Sequence, residues 1–212
     1  MPSPIGTNSC DDILVLDIGT GSIRAALVTA SGKVHGLTSI AHQTRHPRHG
    51  WVEQRPADWW QIAQQVISRT MAHALNESRQ VRAVCCCGHM HSPVLIDESG
   101  ALVTQTVPLW NDKRATSQAQ NLASNPVFHQ ISGNPPTAAW PAVKLAWMRK
   151  HQPELINPKH TVLMCKDYIN FKLCGRRAID MTEAGSSLMC DSKSRTWSAE
   201  FMEALELPAD LL

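Results

Sequence analysis

The run Asp17-Ile18-Gly19-Thr20-Gly21-Ser22 places a carboxylate, two glycines and two hydroxyls between two apolar runs, Ile13 to Leu16 and Ile23 to Val28. Gly19 and Gly21 allow positive φ and let a phosphate approach the backbone, while Thr20 and Ser22 bring hydroxyl and N–H donors. Such a turn can hold Mg²⁺ and a nucleoside triphosphate; an ordinary hairpin turn has the same composition. Trp110-Asn111-Asp112 joins a flat apolar surface to two hydrogen-bonding side chains, as sugar sites do, or is a core tryptophan beside a turn. His89 and His91 share a strand face and could begin a metal site, but no third ligand stands at suitable spacing. Lys113 and Arg114 read as surface charges.

These groups need a scaffold. Apolar runs near 13–17, 22–29 and 33–41, separated by short turns, predict an antiparallel meander. Pro56 then starts a helix of about five turns, with Trp59, Ala63, Val66, Ile67, Met71, Ala74 and Leu75 at helical spacing. Val81 to Cys87 is almost continuously apolar, which predicts a parallel strand covered on both faces, followed by a strand over 93–97. Residues 114–131 read as helix interrupted at Asn125-Pro126; a helix starts at Pro141, a strand covers 161–164 and a helix 167–174. Three antiparallel strands followed by alternating helices and strands make an α/β layer structure. Trp51, Trp59, Trp60, Trp147 and Trp197 read as core or interface packing.

Composition excludes several classes. A chain of 212 residues with 43% hydrophobic content can bury a substantial core, and no run approaches the ~18 to 20 apolar residues of a membrane span. The net charge of +2 gives no electrostatic case for nucleic acid. The first residues lack the pattern of a secretory signal, and residues 1–11 read as a frayed arm before a domain over 12–212. The seven cysteines show no C-x-x-C pair or disulfide framework. Cys85, Cys86 and Cys87 read as small buried hydrophobes in a reducing cytoplasm.

The order of motifs resembles the N-terminal half of the FGGY family of carbohydrate kinases. After the glycine turn come Trp51-Val52-Glu53-Gln54 with Trp59-Trp60, Gly88-His89-Met90-His91, and Leu109-Trp110-Asn111-Asp112-Lys113-Arg114. Ser132-Gly133-Asn134 with Pro141 to Trp147, Lys166-Asp167-Tyr168, Asp180-Met181-Thr182, Asp191 and Trp197-Ser198 continue the series, so the match covers about 12 to 207. It is most similar to the xylulokinase branch, whose runs are close to GQMHG, LWNDGR and KDYL; His89, Ser92 and Lys113 depart from them.

The resemblance implies an actin-like ATPase (ribonuclease H-like) α/β domain, with a sugar-binding insertion around 88–160. It implies phosphoryl transfer from ATP to a sugar hydroxyl, most readily a ketopentose such as D-xylulose, in which positioning and charge neutralisation dominate. Asp17 would hold Mg²⁺; Gly19, Thr20, Gly21 and Ser22 would cradle the β- and γ-phosphates, and Arg24 would add charge or be a solvated strand residue. Met90 and His91 would contact the sugar through the carbon skeleton and a hydroxyl respectively, with Trp110, Asn111 and Asp112 beside them. Ala139 stands where the glycerol-kinase branch has a phenol, which favours a sugar larger than glycerol. Lys166-Asp167-Tyr168 reads as a helix start. The family's adenosine pocket and base aspartate belong to a second domain, so the chain is expected to be an N-terminal half, catalytically silent alone, pairing with a separate C-terminal half or forming a homodimer. A kinase for another sugar (ribulose, a polyol or a quorum-signal precursor), a non-catalytic sugar-binding remnant and another actin-like ATPase are the competing readings; the last would lack the 88–91 and 109–114 motifs.

Overall fold

A computed structural model describes residues 11–212, apart from the side chains of His129 and Ser132. The arm expected over residues 1–11 therefore lies almost entirely outside the described residues, as does Cys10. Its last residue, Asp11, already belongs to a strand.

Chain contacts divide the protein into two compact units, residues 11–43 with 58–88, and residues 44–57 with 89–212. The first unit holds the meander in the expected order: β1 (Asp11–Ile18), β2 (Ser22–Thr29) and β3 (Val34–Ala41) pair antiparallel. After the short strand β4 (Glu53–Gln54) comes α1 (Pro56–Asn76), and then β5 (Gln80–Gly88) runs parallel to β1. The sheet order is β3-β2-β1-β5. Helix α1 is tied to the sheet where Thr70 Oγ1 donates to the Gly36 carbonyl, 3.2 Å away. At the start of β1, buried Asp12 accepts from Arg79 Nε and, at 2.8 Å, from Arg79 Nη2, which holds its carboxyl below the usual range.

β5 corrects one expectation. Its direction is as the apolar run predicts, but it ends the sheet order among the described residues, and Val84 is 50% exposed with Cys85 and Cys87 also exposed. Apolar continuity reports what a strand can bury; pairing decides what it does bury. Cys165 and Cys190 do behave as buried hydrophobes, whereas Cys174 is exposed.

The second unit contains β6 (Val94–Ile96), β7 (Val107–Pro108), α2 (Thr116–Ala123), α3 (Val127–Ser132), α4 (Pro141–His151), β8 (Thr161–Leu163) and α5 (Cys165–Cys174). It continues through α6 (Met181–Gly185), β9 (Cys190–Asp191), β10 (Thr196–Trp197) and α7 (Ala199–Ala204). Helices α2 and α3 separate at Asn125-Pro126, because proline cannot donate to the turn before it. The later strands form separate two-stranded pieces: β4 with β7, β6 with β8, and β9 with β10. One core runs through this unit, including Leu95, Phe128, Leu145, Trp147, Met164 and Phe201, with Phe128 and Phe201 stacked at 5.2 Å. Trp59 and Trp147 are buried as expected, but Trp197 is exposed at the short β10 edge.

Candidate functional site

In the first unit the glycine turn links β1 to β2, and its geometry differs from the expected one. Neither Gly19 nor Gly21 has positive φ. Gly19 is required by crowding instead: its N–H donates to the Ser22 carbonyl at 3.0 Å, and a Cβ there would lie 2.9 Å from that same oxygen. A Cβ on Gly21 would meet nothing within 4 Å, so this side of the turn is open to an incoming group.

His42, just beyond β3, grips the turn at both ends. Its ring Nε2–H donates to the Gly19 carbonyl at 2.8 Å and its backbone N–H to the Gly21 carbonyl at 3.2 Å. No sequence signal marks it, because the contact depends on β3 folding back along β2.

The Asp17 side chain is 38% exposed at the end of β1, opposite Arg24 in the β1–β2 register and Cys87 in the β1–β5 register. Arg24 Nη1 stands 3.5 Å from its carboxylate, and the Cys87 thiol donates weakly to it at 3.8 Å. Burial, with the Asp17 charge adding to it, pushes the Cys87 thiol pKa up, so this thiol stays protonated.

In the second unit, His91 adopts φ 64°, a left-handed conformation that costs an ordinary residue about 1–2 kcal/mol. Its backbone N–H donates to Glu183 Oε1 at 3.3 Å, and its carbonyl accepts from Lys144 Nζ at 2.6 Å. The ring packs edge-on against Trp140 at 4.8 Å, and its Nδ1 is buried without a partner among the described residues. Met90, next to it, is 54% exposed.

Burial, with help from the Lys144 charge, draws the His91 pKa down to about 4, so the imidazole is neutral near pH 7. The unfolded chain takes up this proton near pH 6.5 and the folded chain only near 4, so stability is lost as pH falls from 6.5 to 4. Urea unfolding across that range should show a steeper acid loss in the wild type than in His91→Gln.

Lys144 is 1% exposed, and burial lowers its pKa to about 7, the Asp112 charge opposing the shift and the Arg114 charge adding to it. Sequence analysis missed it, although a lone lysine inside Pro141-Ala142-Val143-Lys144-Leu145 is a visible irregularity. Glu183, on α6, was missed as well. Its carboxyl is raised by burial, and its Oε2 lies 3.9 Å from Lys166 Nζ. Lys166 also meets Asp180 at 2.5 Å and Asp167 at 2.7 Å; Asp167 sits in the first turn of α5, as expected.

Trp110 is 45% exposed, which removes the core-tryptophan alternative. Asn111 Oδ1 is buried with no partner among the described residues. Asp112 faces inward. Its Oδ2 accepts from the Val52 N–H at 2.6 Å and from Arg114 Nη2 at 2.8 Å, and its Oδ1 from the Arg114 backbone N–H and Nε, each at 2.9 Å. Arg114 is not the surface charge expected: its side chain is 5% exposed, bonds Glu53 Oε1 at 2.7 Å and lies 3.8 Å from the Trp51 ring centre. Lys113 is exposed, as expected. Lys144 ties these groups together, since it holds the His91 carbonyl within the field of Asp112 and Arg114.

Residues 13–212 match the N-terminal domain of the FGGY family of carbohydrate kinases. The chain belongs to this family. This FGGY domain is 29% identical over 198 residues to the xylulose kinase of Klebsiella pneumoniae, covering 93% of this chain and 40% of that protein. It is also 29% identical over 209 residues to an autoinducer-2 kinase of Klebsiella pneumoniae subsp. pneumoniae, covering 94% and 38%. A crystal structure of a xyloylose kinase from Brucella ovis superposes with TM-score 0.86 at 28% identity, covering 94% of this chain and 42% of that one. The fold of this FGGY domain is therefore the actin-like α/β fold expected. The chain spans about two fifths of the length of the relatives it matches.

Proposed function

We propose that this chain forms the phosphate-binding turn and the sugar-recognition surface of an ATP-dependent kinase acting on a ketopentose, D-xylulose first, in the cytoplasm. The observation that carries the reading is the Met90-His91 pair: an exposed thioether beside a neutral imidazole with an unpartnered Nδ1, in a chain similar to xylulose kinases. A neutral imidazole can donate to or accept from a sugar hydroxyl, and the methionine can cover the carbon skeleton. The exposed Trp110 ring and unpartnered Asn111 Oδ1 offer a stacking face and an acceptor. Asp112 has a different part in this reading. With both oxygens committed, it positions the 109–114 turn rather than touching sugar.

Thr20, Ser22 and the Gly21 backbone would meet the ATP phosphates, with Arg24 adding positive charge, while Gly19, its N–H and carbonyl already bonded within the unit, would shape the turn. Asp17 fits Mg²⁺, which favours one or two carboxylates together with water and phosphate oxygens: its carboxylate is partly exposed, with Oδ2 3.9 Å from where a Cβ on Gly19 would stand. When bound, the ion would neutralise charge on the transferring phosphoryl group. The exposed thiols of Cys85 and Cys87 suit a reducing compartment.

The test is ADP release by the whole protein with D-xylulose, D-ribulose, hexuloses, glycerol and the phosphate-free autoinducer-2 precursor as acceptors. D-Xylulose should give the highest kcat/KM. Activity confined to an acceptor that is not a ketose overturns the reading.

A further inference from the structure

We infer that Glu183 and Lys144 are positioning residues of the sugar site, gripping the His91 peptide from both sides and holding it left-handed so that Met90 and His91 present their side chains to the ligand. The inference rests on the proposed ketose site. The backbone of one residue is held by two buried ionisable side chains from separate helices: Glu183 of α6 accepts from its N–H and Lys144 of α4 donates to its C=O. Both ionisable groups are costly to bury. The other buried residues of α4, among them Val143, Leu145, Trp147 and Met148, are all apolar, so a buried lysine at 144 breaks the pattern of its own helix. Its Nζ donates to a main-chain carbonyl.

The conformation it holds has a consequence for the side chains. A left-handed residue three positions after the end of β5 turns the chain sharply before β6, with Met90 largely exposed and the His91 ring packed on Trp140. Glu183 is itself steadied: Asp180 caps α6 by accepting from the N–H groups of Thr182 and Glu183, and Lys166 joins Asp180 to Asp167 of α5. The chain from 165 to 185 thereby bears on the geometry at 90 and 91, although it supplies no expected sugar contact.

Three variants test this: Glu183→Ala, which removes the acceptor; Glu183→Gln, whose amide oxygen can accept the same N–H; and Lys144→Met, which keeps the volume. Hydrogen exchange at the His91 amide should quicken about tenfold or more in Glu183→Ala and return toward the wild-type rate in Glu183→Gln. In the whole protein, Glu183→Ala and Lys144→Met should raise KM for D-xylulose about tenfold while KM for ATP changes less than about twofold, with Glu183→Gln restoring the sugar KM. A purely structural role would move both KM values or lower kcat alone. The inference is overturned if His91 exchange is unchanged in Glu183→Ala, if the glutamine variant behaves like alanine, or if faster exchange leaves the sugar KM where it was. If Glu183→Ala does not fold, Lys144→Met and Glu183→Gln carry the same comparison. A wild-type protein that phosphorylates no ketose overturns the kinase reading, and the exchange measurement still decides whether the peptide is gripped.

Discussion

Asp17→Ala in the whole protein should lower sugar-dependent ADP release by about 10²-fold or more, while the affinity for D-xylulose stays nearly unchanged. The proposed roles separate in sequence and in fold: Asp17, next to last in β1, lies in one compact unit, and Met90, His91, Trp110 and Asn111 belong to the other. Loss of rate through unfolding is not expected. Asp17 meets an exposed arginine 3.5 Å away, and such surface pairs contribute about 0–1 kcal/mol; the Cys87 thiol adds only a weak contact at 3.8 Å. Removing the carboxylate therefore withdraws a phosphate-side group and little else. Calorimetry of sugar binding beside steady-state rates checks both halves. A sugar affinity that falls as far as the rate would show that Asp17 is not confined to the phosphate side.

Arg114→Met should destabilise the protein by about 3–5 kcal/mol, the loss seen when one member of a buried ion pair is removed. The guanidinium satisfies both oxygens of Asp112, reaches Glu53 and covers the face of Trp51. Methionine would replace some of the apolar contact and none of the charge. Asp112 would keep the Val52 N–H, but two buried carboxylates would share a site without their cation. Urea unfolding followed by tryptophan fluorescence should show the midpoint drop with an unchanged slope. A loss below about 1 kcal/mol would mean that the network contributes little beyond an exposed ion pair.

Much of the scaffold follows from local pattern. The meander, the start of α1 at Pro56 and the break between α2 and α3 at Asn125-Pro126 are written in alternation, helical spacing and proline chemistry, each of which acts within a few residues. The turn at 17–22 belongs to the same class, whereas the exposure of Trp110 does not, since its composition also fits a core tryptophan beside a turn and only the structure decided between the two. Family membership is equally a property of the residue string. Tertiary structure decided the rest, because burial and charge pairing are set by residues far apart in the chain. An apolar run became an exposed edge at β5 once no further strand paired with it among the described residues. Arg114 changed from surface charge to buried hub when Glu53, 61 positions earlier, came within 2.7 Å. Lys144 acquired its meaning from the His91 carbonyl, 53 positions away, and His42 from the Gly19 carbonyl, 23 positions away. The residues proposed to meet a ligand were chosen from side-chain type, which the sequence states directly; those proposed to aim them were not, since a hydrogen bond to a distant backbone leaves no local trace in the sequence.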